Sequence, residues 1–242
     1  MRVETFGAAT LFLADCREVD VEAVRSHMGL SDPPYKLTSG GKNTGGMSGG
    51  WMSGYDNKGA PVICDITWPE VLQVMAAAVV ASEHVGEHLP GDVYVFANDK
   101  NVQAMLNAAE AAGLRFHNLL VWDKVAATAN RWYMKNVEFV GYFYKGAARC
   151  INDPSAKQLI RAPQVDETKH PTEKPVALCR HYIEQSTRPG ERVFDPCAGS
   201  GTTGVAALQS GRSFVGCEVD PQWFDVACRR LERAAVAPAG LL

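Results

Sequence analysis

The chain has 242 residues, of which 46% are hydrophobic and 21% charged, with a formal net charge of −3. That length suits one substantial α/β domain, and no apolar run reaches the length of a membrane span. The weak negative charge excludes a global basic field, so any nucleic acid must meet a local basic face. Seven cysteines, an odd number with no C-x-x-C pair and no signal-like N-terminus ahead of them, read as reduced intracellular thiols rather than disulfides or zinc ligands.

Residues 10–14 predict a short apolar strand ending at Asp15, and 20–27 a helix. Residues 27–31 form a weak strand that runs into Asp32-Pro33-Pro34-Tyr35. The stretch 36–61 is rich in glycine, serine and asparagine, carries Trp51, Met52 and Tyr55, and lacks apolar periodicity; a loop of that length reads as a mobile flap beside a site. A long helix is expected over 69–88, with Pro69 near its start. His84 and His88 share a face of it, as solvated side chains near a helix end rather than as metal ligands. Residues 93–97 are a continuous apolar strand. A helix over 101–112 stops at Gly113.

Strands at 116–122 and 138–144 have no helical pattern between them and are expected to pair antiparallel. Residues 146–169 are polar and irregular, and a helix opens around 170–175 and runs to Glu184. A strand over 191–194, a helix over 202–210, a strand over 214–218 and a helix over 221–235 close the chain. Seven strands, centred on Leu11, Met28, Val95, Leu120, Tyr142, Val193 and Val215, are mostly separated by helices. That pattern argues for an α/β fold with a seven-stranded, mostly parallel sheet and an antiparallel pair at one edge.

The chain is organised around Phe194-Asp195-Pro196-Cys197-Ala198-Gly199-Ser200-Gly201-Thr202-Thr203-Gly204, a buried strand turning sharply into a helix. Glycines permit that turn, and the helix start presents free N–H groups. Gly199, Gly201 and Gly204 fit the dinucleotide pattern G-x-G-x-x-G, and Glu218 follows at the next strand end, where a carboxylate suits two ribose hydroxyls. NAD and S-adenosylmethionine share that adenosine half. Asp195 separates them: a carboxylate there repels a pyrophosphate and attracts the ammonium of a methionine moiety.

Asp32-Pro33-Pro34-Tyr35 stands at a second strand end. The prolines carry no N–H and stiffen the backbone. The Asp32 carboxylate and the Pro33 carbonyl can then accept both hydrogens of an exocyclic amino group, leaving its lone pair toward an electrophile. Tyr35 offers a flat face for stacking. A base reaches such a pocket only after flipping out of its duplex.

With these motifs the chain resembles the amino-methylating DNA methyltransferases, which modify adenine N6 or cytosine N4. Asp-Pro-Pro-Tyr resembles their catalytic motif, the 194–203 segment their cofactor loop, and Thr172-Glu173-Lys174-Pro175 the segment leading into it. The catalytic motif precedes the cofactor motif, as in the family's β group. The resemblance implies a Rossmann-like S-adenosylmethionine-dependent methyltransferase fold and direct methyl transfer with no covalent enzyme intermediate. It assigns Asp32, Pro33, Pro34 and Tyr35 to catalysis. It assigns Asp15 (beside the adenine), Thr172, Lys174 (near the cofactor carboxylate), Phe194, Asp195, Cys197, Gly199, Ser200, Gly201, Thr202, Thr203, Glu218 and Val219 to S-adenosylmethionine, with no metal. Cys197 stands where the family often has an aromatic residue, so a looser cofactor wall is expected. An opening aspartate goes mostly with adenine, which makes adenine N6 the expected target and cytosine N4 the alternative.

Double-stranded DNA is the implied substrate. Lys124, Arg131, Lys135, Lys145, Arg149, Lys157 and Arg161, interleaved with Trp132 and Tyr133, predict a phosphate-binding face. The short interval 146–169 is the expected target reader in a single domain over 1–242. A second copy of the chain, forming a homodimer, and a cognate restriction endonuclease are further candidate partners. The implied setting is cytoplasmic, in a bacterium or phage, with no membrane. The competing readings are an NAD-dependent oxidoreductase, which leaves Asp32–Tyr35 without a task, a protein- or RNA-modifying relative, and a DNA-binding protein without catalysis.

Overall fold

A computed structural model describes residues 1–34, 65–80, 91–128, 132–165 and 173–236. In chain order the elements are β1 (Arg2–Phe6), β2 (Ala9–Leu13), α1 (Val21–Val24), β3 (Met28–Ser31), α2 (Trp68–Ala78), β4 (Asp92–Ala97), α3 (Val102–Ala111), β5 (Arg115–Thr128), β6 (Lys135–Tyr144), β7 (Leu159–Arg161), α4 (Val176–Ser186), β8 (Arg192–Asp195), α5 (Thr202–Gln209), β9 (Ser213–Glu218) and α6 (Pro221–Val236). One sheet of nine strands runs in the order β1-β2-β9-β8-β3-β4-β6-β5-β7. The strands β2, β9, β8, β3 and β4 are parallel, and β6 runs antiparallel to both β4 and β5.

All seven expected strands are present, and two more extend the sheet. The first, β1, pairs antiparallel with β2 at one edge. At the other edge, β7 adds to β5 in parallel, so the expected antiparallel pair β5–β6 lies one strand inside it. Both additions escaped the sequence reading because β1 is largely exposed and β7 has only three residues.

Helices cover both faces. On one, Leu178, Tyr182 and Ile183 of α4, Val205 of α5 and Phe224 and Leu231 of α6 pack on Leu30, Tyr94, Phe96, Trp122 and Val140. On the other, Leu72 and Met75 of α2 and Met105 of α3 pack on Val93, Val95, Phe143, Phe194 and Val215. Alternation along β4, with Tyr94 and Phe96 facing one layer and Val93 and Val95 the other, shows a strand buried on both sides.

Three local expectations change. The weak strand at 27–31 is central: Met28, Leu30 and Ser31 are fully buried. Its glycine is a packing requirement, since a Cβ on Gly29 would stand 2.8 Å from Met75 Cε. The helix expected over 20–27 is one turn, capped by the Asp20 side chain on the Glu22 N–H at 3.1 Å. The helix expected over 69–88 begins with a Thr67–Glu70 capping box and ends at Ala78, where Val79 turns extended and bridges to Ser26. The flap at 36–61, with His84 and His88, lies outside the described residues. No described helix is long and apolar enough to cross a membrane.

The basic stretch is largely committed inward. The Arg149 side chain, 8% exposed, pairs with buried Asp92 at 3.0 Å, at the amino end of β4, where Ser186 Oγ and Tyr142 Oη also donate to the carboxylate. Lys145 donates to the Ala76 and Val79 carbonyls at the end of α2. Lys124 pairs with Glu138. These three do not belong to a phosphate-binding face. Lys135 and Arg161 pair with Asp99 and Asp123, but Arg161 is 74% exposed and such a pair exchanges readily. Arg131 lies outside the described residues. Trp132 and Tyr133 are exposed, at 77% and 92%.

Arg149→Ala is therefore expected to destabilise the fold by about 3–5 kcal/mol, because it strands a buried carboxylate. Urea unfolding measures this. A variant of wild-type stability with selectively weakened DNA binding would restore Arg149 to the phosphate-binding face.

Candidate active site

The strand order reverses between β3 and β8: from β3 the chain moves toward β4, and from β8 toward β9. Parallel α/β sheets open a crevice at such a point, beyond the carboxyl ends of the strands. Asp32 follows β3 and Asp195 ends β8, so both motifs arrive at this crevice. A direct bond joins them: Ser31 Oγ, next to Asp32, donates to Asp195 Oδ1 at 2.8 Å.

Asp195 is almost fully buried. It also accepts from the Cys197 N–H at 3.0 Å and from Thr203 Oγ1 at 2.7 Å. Burial pushes its carboxyl up to about 6, and these bonds restrain the rise. A carboxylate has about four acceptor positions, so three donors leave one for an ammonium group. Gly199 (φ 53) and Gly201 (φ 80) make the turn into α5 in the left-handed region. A Cβ on Gly201 would stand 3.0 Å from Ala227 Cβ, and one on Gly204 2.6 Å from Leu231 Cδ2. The glycines thus let α5 sit close against α6.

Glu218, at the end of β9, accepts from the Gly199 N–H at 2.7 Å and from the Asp220 N–H at 2.8 Å. Burial raises its proton affinity while these bonds oppose the rise. Val219 follows it, half-buried. A buried acid for an ammonium, a second acid one strand over and a glycine turn too tight for side chains fit S-adenosylmethionine.

Several of the residues assigned to the cofactor also make contacts within the protein. Phe194 is fully buried on the α2–α3 side of the sheet and belongs to the core. Both Asp15 oxygens are engaged by Arg17, which holds that carboxyl below the usual range and also pairs with Asp65 and Glu70. Cys197 is half-buried against the same core as Phe194. The Thr203 hydroxyl is spent on Asp195, and Thr202 Oγ1 and Ser200 Oγ both accept from Arg230 of α6 at 3.0 Å. Pro33 is buried and Pro34 exposed. Tyr35 and Thr172 lie outside the described residues.

Lys174 is the largest revision. Its ammonium donates to Asp32 Oδ2 and lies 3.4 Å from Glu138 Oε2, over the Phe96 ring. It stands beside the candidate catalytic aspartate. Its neighbour Glu173 is buried and pairs with Arg230 at 3.1 Å. The Glu-Lys-Pro segment thereby ties the turn into α5 to the carboxyl end of β3. Sequence reasoning missed Ser31, Glu138, Glu173 and Arg230. Only Ser31 and Glu173 carried a signal, by lying inside or beside the recognised motifs.

These features define an α/β enzyme of the S-adenosylmethionine-dependent methyltransferase fold. Comparison with known proteins agrees. The family model for the N6/N4 DNA methylases matches residues 90–229, more than half of the chain, and the chain belongs to that family. The type II methyltransferase M2.DpnII of Streptococcus pneumoniae is 28% identical over 231 residues, 84% of this chain and 81% of its own. The DNA adenine methyltransferase YhdJ of Escherichia coli K12 is 47% identical over 66 residues, 27% of this chain and 22% of its own. The crystal structure of the M1.HpyAVI–SAM complex superposes with a TM-score of 0.67 at 24% identity, covering 92% of this chain and all of that one.

Proposed function

We propose that this DNA methyltransferase transfers a methyl group from S-adenosylmethionine to N6 of an adenine flipped out of duplex DNA. The observation that carries the reading is the Ser31–Asp195 bond, which binds the two acidic loops into one crevice. S-Adenosylmethionine supplies an electrophilic methyl group on a sulfonium. Asp195 holds its ammonium, and Glu218 accepts from its ribose. Asp32 and the Pro33 carbonyl accept the amino hydrogens and aim the nitrogen lone pair. The N–C bond forms as the S–C bond breaks with its electrons on sulfur, and the nitrogen then loses a proton toward the Asp32 carboxylate and solvent. Tyr35 is assigned to stacking on the base.

The adenine assignment rests on the aspartate that opens the tetrapeptide and on the named activity of the YhdJ relative. Part of the expected target reader has a structural task instead. Asn152 and Asp153 bind the last turn of α4, beside Ser186 and Asp92 at the far end of the sheet. Target reading is better assigned to the chain around β7, whose end at Arg161 returns to the catalytic edge. Action in the cytoplasm, with or without a cognate endonuclease or a second copy, follows the same reading.

The test is incubation with methyl-labelled S-adenosylmethionine and duplex DNA, then nucleoside analysis. Label in N6-methyladenine is expected. Label only in N4-methylcytosine overturns the base assignment, and label in protein or RNA alone overturns the substrate.

A further inference from the structure

Four charges alternate along the carboxyl edge of the sheet, on the face covered by α4. Asp32, after β3, meets Lys174, before α4. Lys174 meets Glu138 of β6 at 3.4 Å, and Glu138 meets Lys124 of β5 at 3.0 Å. All four side chains are mostly shielded, at 14%, 7%, 17% and 12% exposure. Glu138 shares its face with Trp122 and Val140 by strand alternation, so β6 aims it at α4 rather than at solvent. Lys124 lies over the Trp122 ring, just before Val125, whose positive φ of 69 marks a break in the β5–β6 register. A β-branched residue rarely adopts that conformation. Asp123 stabilises it by accepting from the Val125 N–H at 2.9 Å.

We infer that Glu138 and Lys124 are positioning residues for methyl transfer: Glu138 shares the Lys174 ammonium with Asp32, Lys124 anchors Glu138, and together they keep Asp32 a correctly aimed acceptor with lone pairs open to the amine. The inference rests on the proposed methyl transfer and deepens it. Asp32 must accept hydrogens from an incoming amine. A lysine bound to it alone would neutralise it and compete for its lone pairs. Glu138 draws part of that ammonium away, and Lys124 limits how far.

Burial opposes charge on both Lys174 and Glu138, yet their opposite partners outweigh it: Lys174 is held above its usual range and Glu138 below. The other titratable or charged groups felt here are Asp195 of β8, Cys179 of α4 and Arg230 of α6.

The chain of charges predicts two opposite pH effects, read in kcat at saturating cofactor and DNA. Glu138→Gln removes a negative charge, so the acid limb should move down by about half a pH unit or more. Its kcat should fall about tenfold, the size of one lost positioning contact, with the cofactor KM within about twofold. Lys124→Met removes a positive charge, so its acid limb should move up by about the same amount. Glu138→Asp should return the limb toward wild type. Limbs that coincide with wild type in both variants, or move in the same direction, overturn the inference. Should Glu138→Gln fail to fold, Lys124→Met decides alone: an unmoved limb overturns it. A wild-type protein that places no label on DNA would instead defeat the proposed function, a distinguishable result.

Discussion

Asp32→Asn should lower methyl transfer to duplex DNA by about a thousandfold or more, about 4 kcal/mol of lost transition-state stabilisation. The substitution keeps shape and volume but replaces an acceptor-only group with an amide that presents two hydrogens. An amino group approaching it meets a donor or half an acceptor, and its lone pair is no longer held toward the sulfonium. Lys174, nearly buried, also loses a close counter-charge and is left nearer to Glu138. Cofactor affinity should change by less than about threefold, because Asp195 and Glu218 keep their bonds. Single-turnover kinetics, with calorimetric titration of S-adenosylmethionine, separates the two. Transfer within tenfold of wild type would remove Asp32 from its assigned role.

Asp195→Asn has the complementary signature. Loss of the charge that meets the cofactor ammonium in a buried site should weaken S-adenosylmethionine binding by about a hundredfold, near 3 kcal/mol. Protein stability should move the other way. Burial raises the Asp195 carboxyl to about 6 in the folded protein, above its ordinary value of 3.8. A group raised on folding contributes stability that is fully present below its unfolded value and is lost as pH rises through its folded value. In the unliganded protein that contribution is complete below about pH 4 and gone above about pH 6. At pH 8 the free variant should therefore melt no lower than wild type. In wild-type protein, cofactor affinity should fall as pH drops through about 6, since protonation removes the charge that binds the ammonium. Calorimetry from pH 5 to 8 checks this, and pH-independent affinity would assign the ammonium another partner.

The parts of the fold that were legible share a physical basis. Apolar runs such as 93–97 and 214–218 form strands because burial on both faces needs uninterrupted side chains. Gly199 and Gly201 were readable because the backbone that they adopt admits little else. The strand over 27–31 looked poor because Gly29 and Ser31 are chosen for neighbours distant in sequence, Met75 and Asp195. The end of α2 at Ala78 was hidden because Ser26 draws Val79 into a bridge, an attraction from outside the helix.

Charged side chains likewise have partners that the sequence did not show. Lys174 was expected near the cofactor carboxylate, Asp15 beside the adenine and Arg149 on DNA. They are found on Asp32, on Arg17 and on Asp92. A long flexible cation takes the nearest buried carboxylate, and which one is nearest depends on strand order.

The amino-acid sequence by itself determined the chemistry available to this protein: a glycine turn between two acids, a rigid acidic tetrapeptide and the order in which they occur. Those properties are written in backbone freedom and functional groups, which are local. Only the tertiary structure decided that β3 and β8 are neighbours, that Ser31 joins their carboxyl ends, and that Lys174 links Asp32 to Glu138 and Lys124. Such pairings follow from sheet order and face, which are fixed by burying the whole core at once.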